Sequence, residues 1–171
     1  MTTTAALNDV NIGAVAGLAD KIVESPEVAT TQWRASVAWL GAFRSEAKVR
    51  DFAPIASDEP VGLGGNDTAP NPVEQLLGAL GNCLAVGYAA NATAAGITIR
   101  GLSIDLEGDL DLHTFLGLAN GHAGYEAIRV LVNLDSDATP EQLATLHQKV
   151  TGTSPVGHTL AQAIPLSIEL A

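Results

Sequence analysis

The sequence predicts an α+β fold. Segments whose apolar residues recur at helical spacing are interspersed with segments in which apolar and polar residues alternate, in the order α-ββ-α-ββ-α-α-β. Hydrophobic residues make up 47% of the 171 residues and charged residues 16%, so the chain can bury a core of ordinary size. Neither an internal repeat nor a second domain is recognisable, and disorder is not expected for most of the chain.

The individual elements follow from these patterns and from the turn and capping residues. Residues 1–7 have the composition of a loose tail. Helices are predicted at residues 10–24, 71–95, 139–150 and 154–162. Strands are predicted at residues 31–40, 44–52, 97–112, 128–134 and 166–170. Residues 52–70, which hold several Pro and Gly, and residues 114–124 are predicted to be loops. Three glycines are expected to turn the chain, bend a strand and end a helix, namely Gly41, Gly108 and Gly152.

The predicted helix at residues 71–95 is the element around which the others are arranged. Asn71 can cap it, Pro72 suits the first helical position, and Glu74 completes a capping box. Leucines form one apolar stripe, while Gly and Ala make the other faces thin enough for a second backbone to pack closely. The pattern therefore predicts a buried central helix.

Cys83 is the single cysteine of the chain and shares the apolar stripe of this helix. A cysteine in such a position is most often an inert core residue. A reactive thiolate there would need a nearby cation, and basic residues such as Arg44 and Arg50 share one face of the strand at residues 44–52. Either this strand is solvated and makes cross-strand ion pairs, or one of its arginines points into a site and holds an anion.

The sequence lacks the motifs that indicate other kinds of functional site. The four histidines show no metal-ligand spacing, and residues 62–65 lack the third glycine of a dinucleotide fingerprint, so neither a metal nor a cofactor is expected. The net charge of −11 argues against a nucleic acid or an anionic membrane as partner. No signal-peptide pattern is seen and the longest apolar run is too short to span a membrane. A lone cysteine suits a reducing compartment, so a cytoplasmic location is expected.

One run combines the helix start, the apolar stripe and the thiol: Asn71-Pro72-Val73-Glu74-Gln75-Leu76-Leu77-Gly78-Ala79-Leu80-Gly81-Asn82-Cys83-Leu84. Shorter runs accompany it: Asp58-Glu59-Pro60, Leu63-Gly64-Gly65, Glu107-Gly108-Asp109-Leu110-Asp111-Leu112, Phe115-Leu116-Gly117-Leu118 and Ser154-Pro155-Val156. Together they resemble the OsmC/Ohr family, the osmotically inducible and organic hydroperoxide resistance proteins, in a single-cysteine form. The resemblance makes residues 31–171 an OsmC-like domain and residues 1–30 an N-terminal tail with an amphipathic helix.

This resemblance implies an intertwined homodimer, in which central helices pack against antiparallel β-sheets and two sites lie at the dimer interface. It places the family's peroxidatic thiol at Cys83, and an arginine and a glutamate of the site at Arg44 and Glu74. The implied substrate is a hydrophobic organic hydroperoxide, reduced without a cofactor. Arg34 and Arg50 are rivals of Arg44 for the arginine.

The sequence departs from the family pattern at Ser154, where the resemblance implies a second cysteine that would resolve the oxidised thiol. Serine cannot do so, although it suits the N-cap of the last helix. An external thiol could then act as reductant. Alternatively, Cys83 could be a nucleophile in non-redox chemistry, with His158 or an ordered water as base, or the protein could bind a hydrophobic small molecule.

Glu74 raises a separate question of geometry. It precedes Cys83 by nine positions, which is about 13.5 Å along a straight helix and half a turn around it. Glu74 therefore cannot touch Cys83 of its own chain on one straight helix, and helix capping is its alternative role.

Overall fold

The computed structural model describes residues 6–170 and confirms the α+β class. Its helices are α1 (Ile12–Glu24), α2 (Pro72–Ala94), α3 (Leu112–Phe115), α4 (Pro140–Thr153) and α5 (Pro155–Ala161). Its strands are β1 (Ser36–Gly41), β2 (Arg44–Lys48), β3 (Ile55–Ser57), β4 (Ile99–Leu110) and β5 (Tyr125–Ser136). The described chain divides into two compact units. We call Gly13–Leu76 the N-terminal unit and residues 6–12 with 77–170 the C-terminal unit.

The N-terminal unit contains α1 and an antiparallel sheet in the order β1-β2-β3. Gly41 turns the chain between β1 and β2 as expected, with a φ of 103° that favours glycine. Helix α1 ends before Ser25-Pro26, as its sequence predicts, and its apolar side chains Val15 and Leu18 are half exposed within the described chain.

A tight loop leads from β3 to α2 and is organised around the carboxylate of Asp58, which has 0% exposure. This carboxylate accepts hydrogen bonds from the backbone N–H groups of Glu59, Asn66 and Thr68 and from the Thr68 hydroxyl. The Thr68 hydroxyl and these amides hold the pKa of Asp58 below its ordinary value of 3.8. Gly65 is required here, since a Cβ at this position would lie 1.8 Å from the carbonyl oxygen of Glu59.

The C-terminal unit contains the core. Strands β4 and β5 form a long antiparallel pair, and their inward side chains pack against α2 and α4. The buried residues at the centre are Leu80, Leu84, Tyr88, Ala92, Ile97, Leu146 and Val150. Two glycines of α2 allow the close packing, because a Cβ at Gly81 would lie 2.9 Å from Leu106 and one at Gly87 would lie 2.9 Å from Val150. The thin faces of α2 thus contact side chains of the same chain.

The N-terminal segment of this unit is fixed by Asn8. Its side-chain amide donates to the Thr93 hydroxyl and the Ile97 carbonyl, and its oxygen accepts the N–H of Ile99. The predicted loose tail at residues 1–7 lies mostly outside the described residues, but its described end, Ala6 and Leu7, leads into a 3-10 helix at Leu7–Asp9 and is not loose.

Several predicted elements differ from the structure. The predicted loop at residues 52–70 contains β3, the predicted loop at 114–124 overlaps α3, and Gly152 lies inside α4 instead of ending it. The strand predicted at residues 166–170 does not form within the described chain, where its apolar side chains are exposed. Alternation favours a strand, but a strand also needs a neighbour for its backbone hydrogen bonds, and no described strand pairs with this segment.

Candidate functional site

Cys83 lies in the middle of α2 and is half-buried. Its Sγ is 3.2 Å from the Oγ of Ser154, a residue 71 positions later in the chain. The structure thus brings together the thiol and the serine that the sequence analysis singled out, and both belong to the C-terminal unit.

Ser154 is held in place by the helices on either side of it. It follows the last residue of α4 and is the N-cap of α5, where its Oγ accepts the N–H of Gly157 at 3.1 Å. Its side chain is buried, with 5% of the residue exposed. The predicted capping role of Ser154 is confirmed, and the same oxygen also contacts the thiol.

A cavity of about 360 Å³ opens beside this pair. Most of its walls are carbon, and its lining residues are Asn82, Cys83, Val86, Gly87, Val150, Thr153, Ser154 and Pro155. The hydroxyl of Thr153 donates to the carbonyl of Lys149 at 2.8 Å, so it is already engaged with the backbone of α4. The cavity therefore offers an apolar ligand a surface next to the thiol.

The arginines proposed for the site lie in the N-terminal unit and differ in their contacts. The guanidinium of Arg34 donates to Gln32, and that of Arg50 stacks on the ring of Phe52 at 4.5 Å from its centroid. Arg44, at the start of β2, makes no hydrogen bond or ion pair through its side chain with the described residues 6–170. The guanidinium of Arg44 is therefore available to an anion, and that of Arg50 also keeps its N–H donors, since stacking on Phe52 does not use them.

Glu74 forms the predicted capping box of α2. Its Oε2 accepts the N–H of Asn71 at 2.8 Å, while Oδ1 of Asn71 accepts the N–H of Glu74 at 2.9 Å. The capping role is confirmed by these two bonds. Participation of Glu74 in a site with a thiol stays a prediction.

His158 lies on α5, and its role as a base for Cys83 stays a prediction. Its Nε2 donates to the carbonyl of Gly152 at 3.1 Å, and His158 is not among the residues that line the cavity. In the part of the chain that the structure describes, no group of His, Cys, Asp and Glu side chains could hold a metal ion. Within residues 6–170, moreover, no helix combines the length and the apolar character needed to cross a membrane.

Sequence reasoning missed the walls of the cavity. Val86 follows Cys83 by one helical turn, and this spacing could have identified it as a neighbour of the thiol. Val150 is the last residue of the helix predicted at residues 139–150, but its contact with α2 required the tertiary structure. A second missed contact joins the buried hydroxyl of Tyr88 to Nδ1 of His147, and burial raises the pKa of Tyr88 above its ordinary value of 10.0.

The family model described as OsmC-like protein matches residues 64–169. Among curated proteins, none matches this chain in sequence.

Solved structures share the fold at low sequence identity. An OsmC-like protein from Mycoplasma pneumoniae is 19% identical, with a TM-score of 0.66, and the match covers 77% of this chain and 88% of that one. An organic hydroperoxide resistance protein from Legionella pneumophila is 16% identical, with a TM-score of 0.56 and coverage of 77% and 91%. One from Elizabethkingia anophelis is 17% identical, with a TM-score of 0.56 and coverage of 75% and 89%.

Proposed function

The chain belongs to the OsmC-like protein family, and on that premise we propose that it reduces hydrophobic organic hydroperoxides with Cys83 and an external thiol. The observation that carries this proposal is the contact of Cys83 with Ser154 beside an apolar cavity. The description of two structural neighbours as organic hydroperoxide resistance proteins supports the same substrate class.

The first step oxidises the thiol. The Cys83 thiolate attacks the terminal oxygen of the hydroperoxide, an S–O bond forms, and the O–O bond breaks. The leaving alkoxide takes up a proton and departs as an alcohol. Cys83 is then a sulfenic acid, and the peroxide has been reduced by two electrons.

The second step needs a reductant from outside the chain, since Cys83 is the single cysteine. An external thiol attacks the sulfenic sulfur, water leaves, and a mixed disulfide remains. A second external thiol releases Cys83 and forms a disulfide between the two external thiols. A small dithiol could supply both equivalents, and a reducing cytoplasm would maintain it.

Arg44 and Glu74 are the proposed charged members of this site. Arg44 has a free guanidinium that could bind the oxygen on which negative charge develops. Glu74 uses Oε2 for helix capping, and among the described residues its Oε1 accepts no hydrogen bond, so one oxygen could still bind an arginine. These roles are those that the family resemblance implies.

The proposed assembly is a homodimer whose OsmC-like domain spans residues 31–171. Large apolar side chains that are exposed in the described single chain support this assembly. Examples are Trp39, which is 74% exposed, and Leu166, which is 79% exposed. A monomeric protein rarely exposes so much apolar surface, and a second copy would cover it.

Turnover assays test the function directly. We expect the protein to consume cumene hydroperoxide in the presence of a dithiol, and to prefer it to hydrogen peroxide by about tenfold or more, because the cavity wall is apolar. Cys83→Ser should abolish turnover. Arg44→Ala should lower kcat/KM by about 10- to 100-fold, whereas Arg100→Ala, which removes an exposed ion pair with Asp135, should not. Cys83-independent turnover, or none, would refute the proposal.

The apolar cavity also favours a second candidate, in which the protein binds a hydrophobic small molecule without redox chemistry. A non-redox thiol enzyme with Cys83 as nucleophile is a variant of this candidate. Native mass spectrometry of the purified protein distinguishes them from the peroxidase. A retained apolar molecule that blocks alkylation of Cys83, together with no peroxide turnover, would favour binding.

A further inference from the structure

We infer that Ser154 is a hydrogen-bond donor to the thiolate of Cys83 and thereby a positioning residue that sets the reactivity of this thiol. The inference rests on the proposed function, in which Cys83 reacts as a thiolate. It assigns to Ser154 a role in the reaction that is additional to capping α5.

The direction of the hydrogen bond follows from the partners of the Ser154 hydroxyl. A hydroxyl group has one proton to donate and two lone pairs that accept. The N–H of Gly157 can only donate, so it occupies a lone pair of Oγ and leaves the hydroxyl proton free. Cys83 Sγ lies 3.2 Å from the same oxygen. Because a thiolate has no proton, Ser154 must be the donor whenever Cys83 is ionised.

The surroundings hold this donor in place. Ser154 lies between α4 and α5 and is 5% exposed, so water does not readily replace its hydroxyl. The absence of a side chain at Gly157 permits the close approach, since a Cβ there would lie 3.1 Å from Oγ and 3.2 Å from Cβ of Ser154. A donor fixed before ionisation stabilises the anion without reorganisation.

Few other groups of the C-terminal unit compete for this thiolate. Among the residues that line the cavity, Cys83 is the one titratable group and none carries a fixed charge. The titratable residues closest in sequence to Ser154 on the flanking helices are Lys149 and His158. Lys149 on α4 lines a separate cavity with Glu141, and His158 on α5 donates to the carbonyl of Gly152. The Ser154 hydroxyl is therefore the polar donor in contact with the sulfur.

The test measures the rate of Cys83 alkylation by iodoacetamide as a function of pH. Removing a neutral donor from a charged acceptor should move the midpoint of this profile upward by about one pH unit, which lowers the rate at neutral pH by about tenfold. Ser154→Ala should show this shift, and Ser154→Thr, which keeps both hydroxyl and cap, should restore the wild-type midpoint. Thr159→Ala removes an α5 hydroxyl that bonds Pro155 and should leave the midpoint unchanged.

Ser154→Gly separates donation from capping. Glycine replaces serine at an N-cap with little loss of helix stability, but it has no hydroxyl to donate and adds no charge near the sulfur. We therefore expect its midpoint to rise by about one pH unit, as in Ser154→Ala. If capping alone mattered, the Ser154→Gly midpoint would lie close to that of the wild type, and that result would overturn the inference. Circular dichroism checks that each variant is folded, and Ser154→Gly and Ser154→Thr keep the test decisive if Ser154→Ala does not fold.

Alkylation involves no peroxide, so the donor role of Ser154 and the proposed peroxidase function can be refuted independently of each other. A shifted midpoint in Ser154→Ala and Ser154→Gly with no peroxide turnover in the wild type would refute the proposed function and retain the donor role. Normal turnover with an unshifted midpoint in both variants would refute the donor role and retain the proposed function.

Discussion

Replacing Ser154 by cysteine should create a disulfide that the wild-type chain cannot form. The oxygen of Ser154 is 3.2 Å from Cys83 Sγ, and a disulfide bond is about 2.05 Å long. A closure of about 1 Å is therefore needed, and a C–S bond, being longer than a C–O bond, supplies part of it. We expect Ser154→Cys to oxidise to a disulfide between Cys83 and the introduced thiol without displacement of α2 or α4.

The effect on stability can be estimated from the length of chain that the bond closes. The two positions are 71 residues apart, and the chain-entropy relation gives about 4 kcal/mol for a loop of that size. The substitution also replaces a good helix N-cap, which costs about 1 kcal/mol. A net gain of about 3 kcal/mol corresponds to a rise in Tm of roughly 10 °C for a chain of this length. The reduced form should instead melt slightly below the wild type.

Thermal unfolding with and without reductant, combined with thiol titration and intact mass, measures these outcomes. Thr153→Cys is the matched control, because the Thr153 hydroxyl bonds the carbonyl of Lys149 and does not contact the thiol. It should keep two free thiols under the same oxidation. If Ser154→Cys keeps two free thiols, or if Thr153→Cys cross-links equally fast, the geometry of this site is wrong.

Three further perturbations test other parts of the fold. Asp58→Asn should lower the Tm at neutral pH. The pKa of Asp58 is lower in the folded state, so the stabilisation by its carboxylate is present above about pH 3.8 and is lost as the pH falls through the folded pKa. The difference in Tm between wild type and variant should therefore shrink in acid, and a difference that stays constant with pH would contradict this. Gly87→Ala should lower the free energy of unfolding by about 1 kcal/mol in urea, because overpacking against Val150 outweighs the gain in helix propensity. Gly152→Ala is the control and should not destabilise the protein, because a Cβ there meets nothing within 4 Å. Deleting residues 163–171 should shift the proposed homodimer toward monomer in size-exclusion chromatography with light scattering, and an unchanged mass would exclude a role for this segment in assembly.

Features that depend on a few adjacent residues could be predicted from the sequence. The capping box of α2 formed as expected between Asn71 and Glu74, and α4 has a second box between Thr139 and Gln142. Each needs one polar side chain at the cap and another three residues later, so the spacing alone specifies the hydrogen bonds. The N-cap role of Ser154 was predictable for the same reason.

Features that depend on distant residues could not be predicted in this way. The short strand β3 lies in a segment rich in Pro and Gly and exists because β2 offers it an edge. Residues 166–170 show the opposite case, since they have strand-like alternation and no partner in the described chain. The family resemblance suggested that Cys83 and position 154 act together, but the contact of sulfur with the capping oxygen required the arrangement of α2, α4 and α5.

The two roles of Ser154 are compatible because they use different parts of one hydroxyl group. Capping α5 uses a lone pair, and stabilising a thiolate uses the proton, so neither function weakens the other. A cysteine at this position could resolve a sulfenic acid, but it would be a poorer cap because sulfur is a weak acceptor. In the proposed reaction the serine cannot capture oxidised Cys83, so the sulfenic acid would remain until an external thiol arrives. The apolar cavity beside Cys83 would then have to admit two different molecules in sequence, and we expect capture of the external thiol, not peroxide cleavage, to limit turnover.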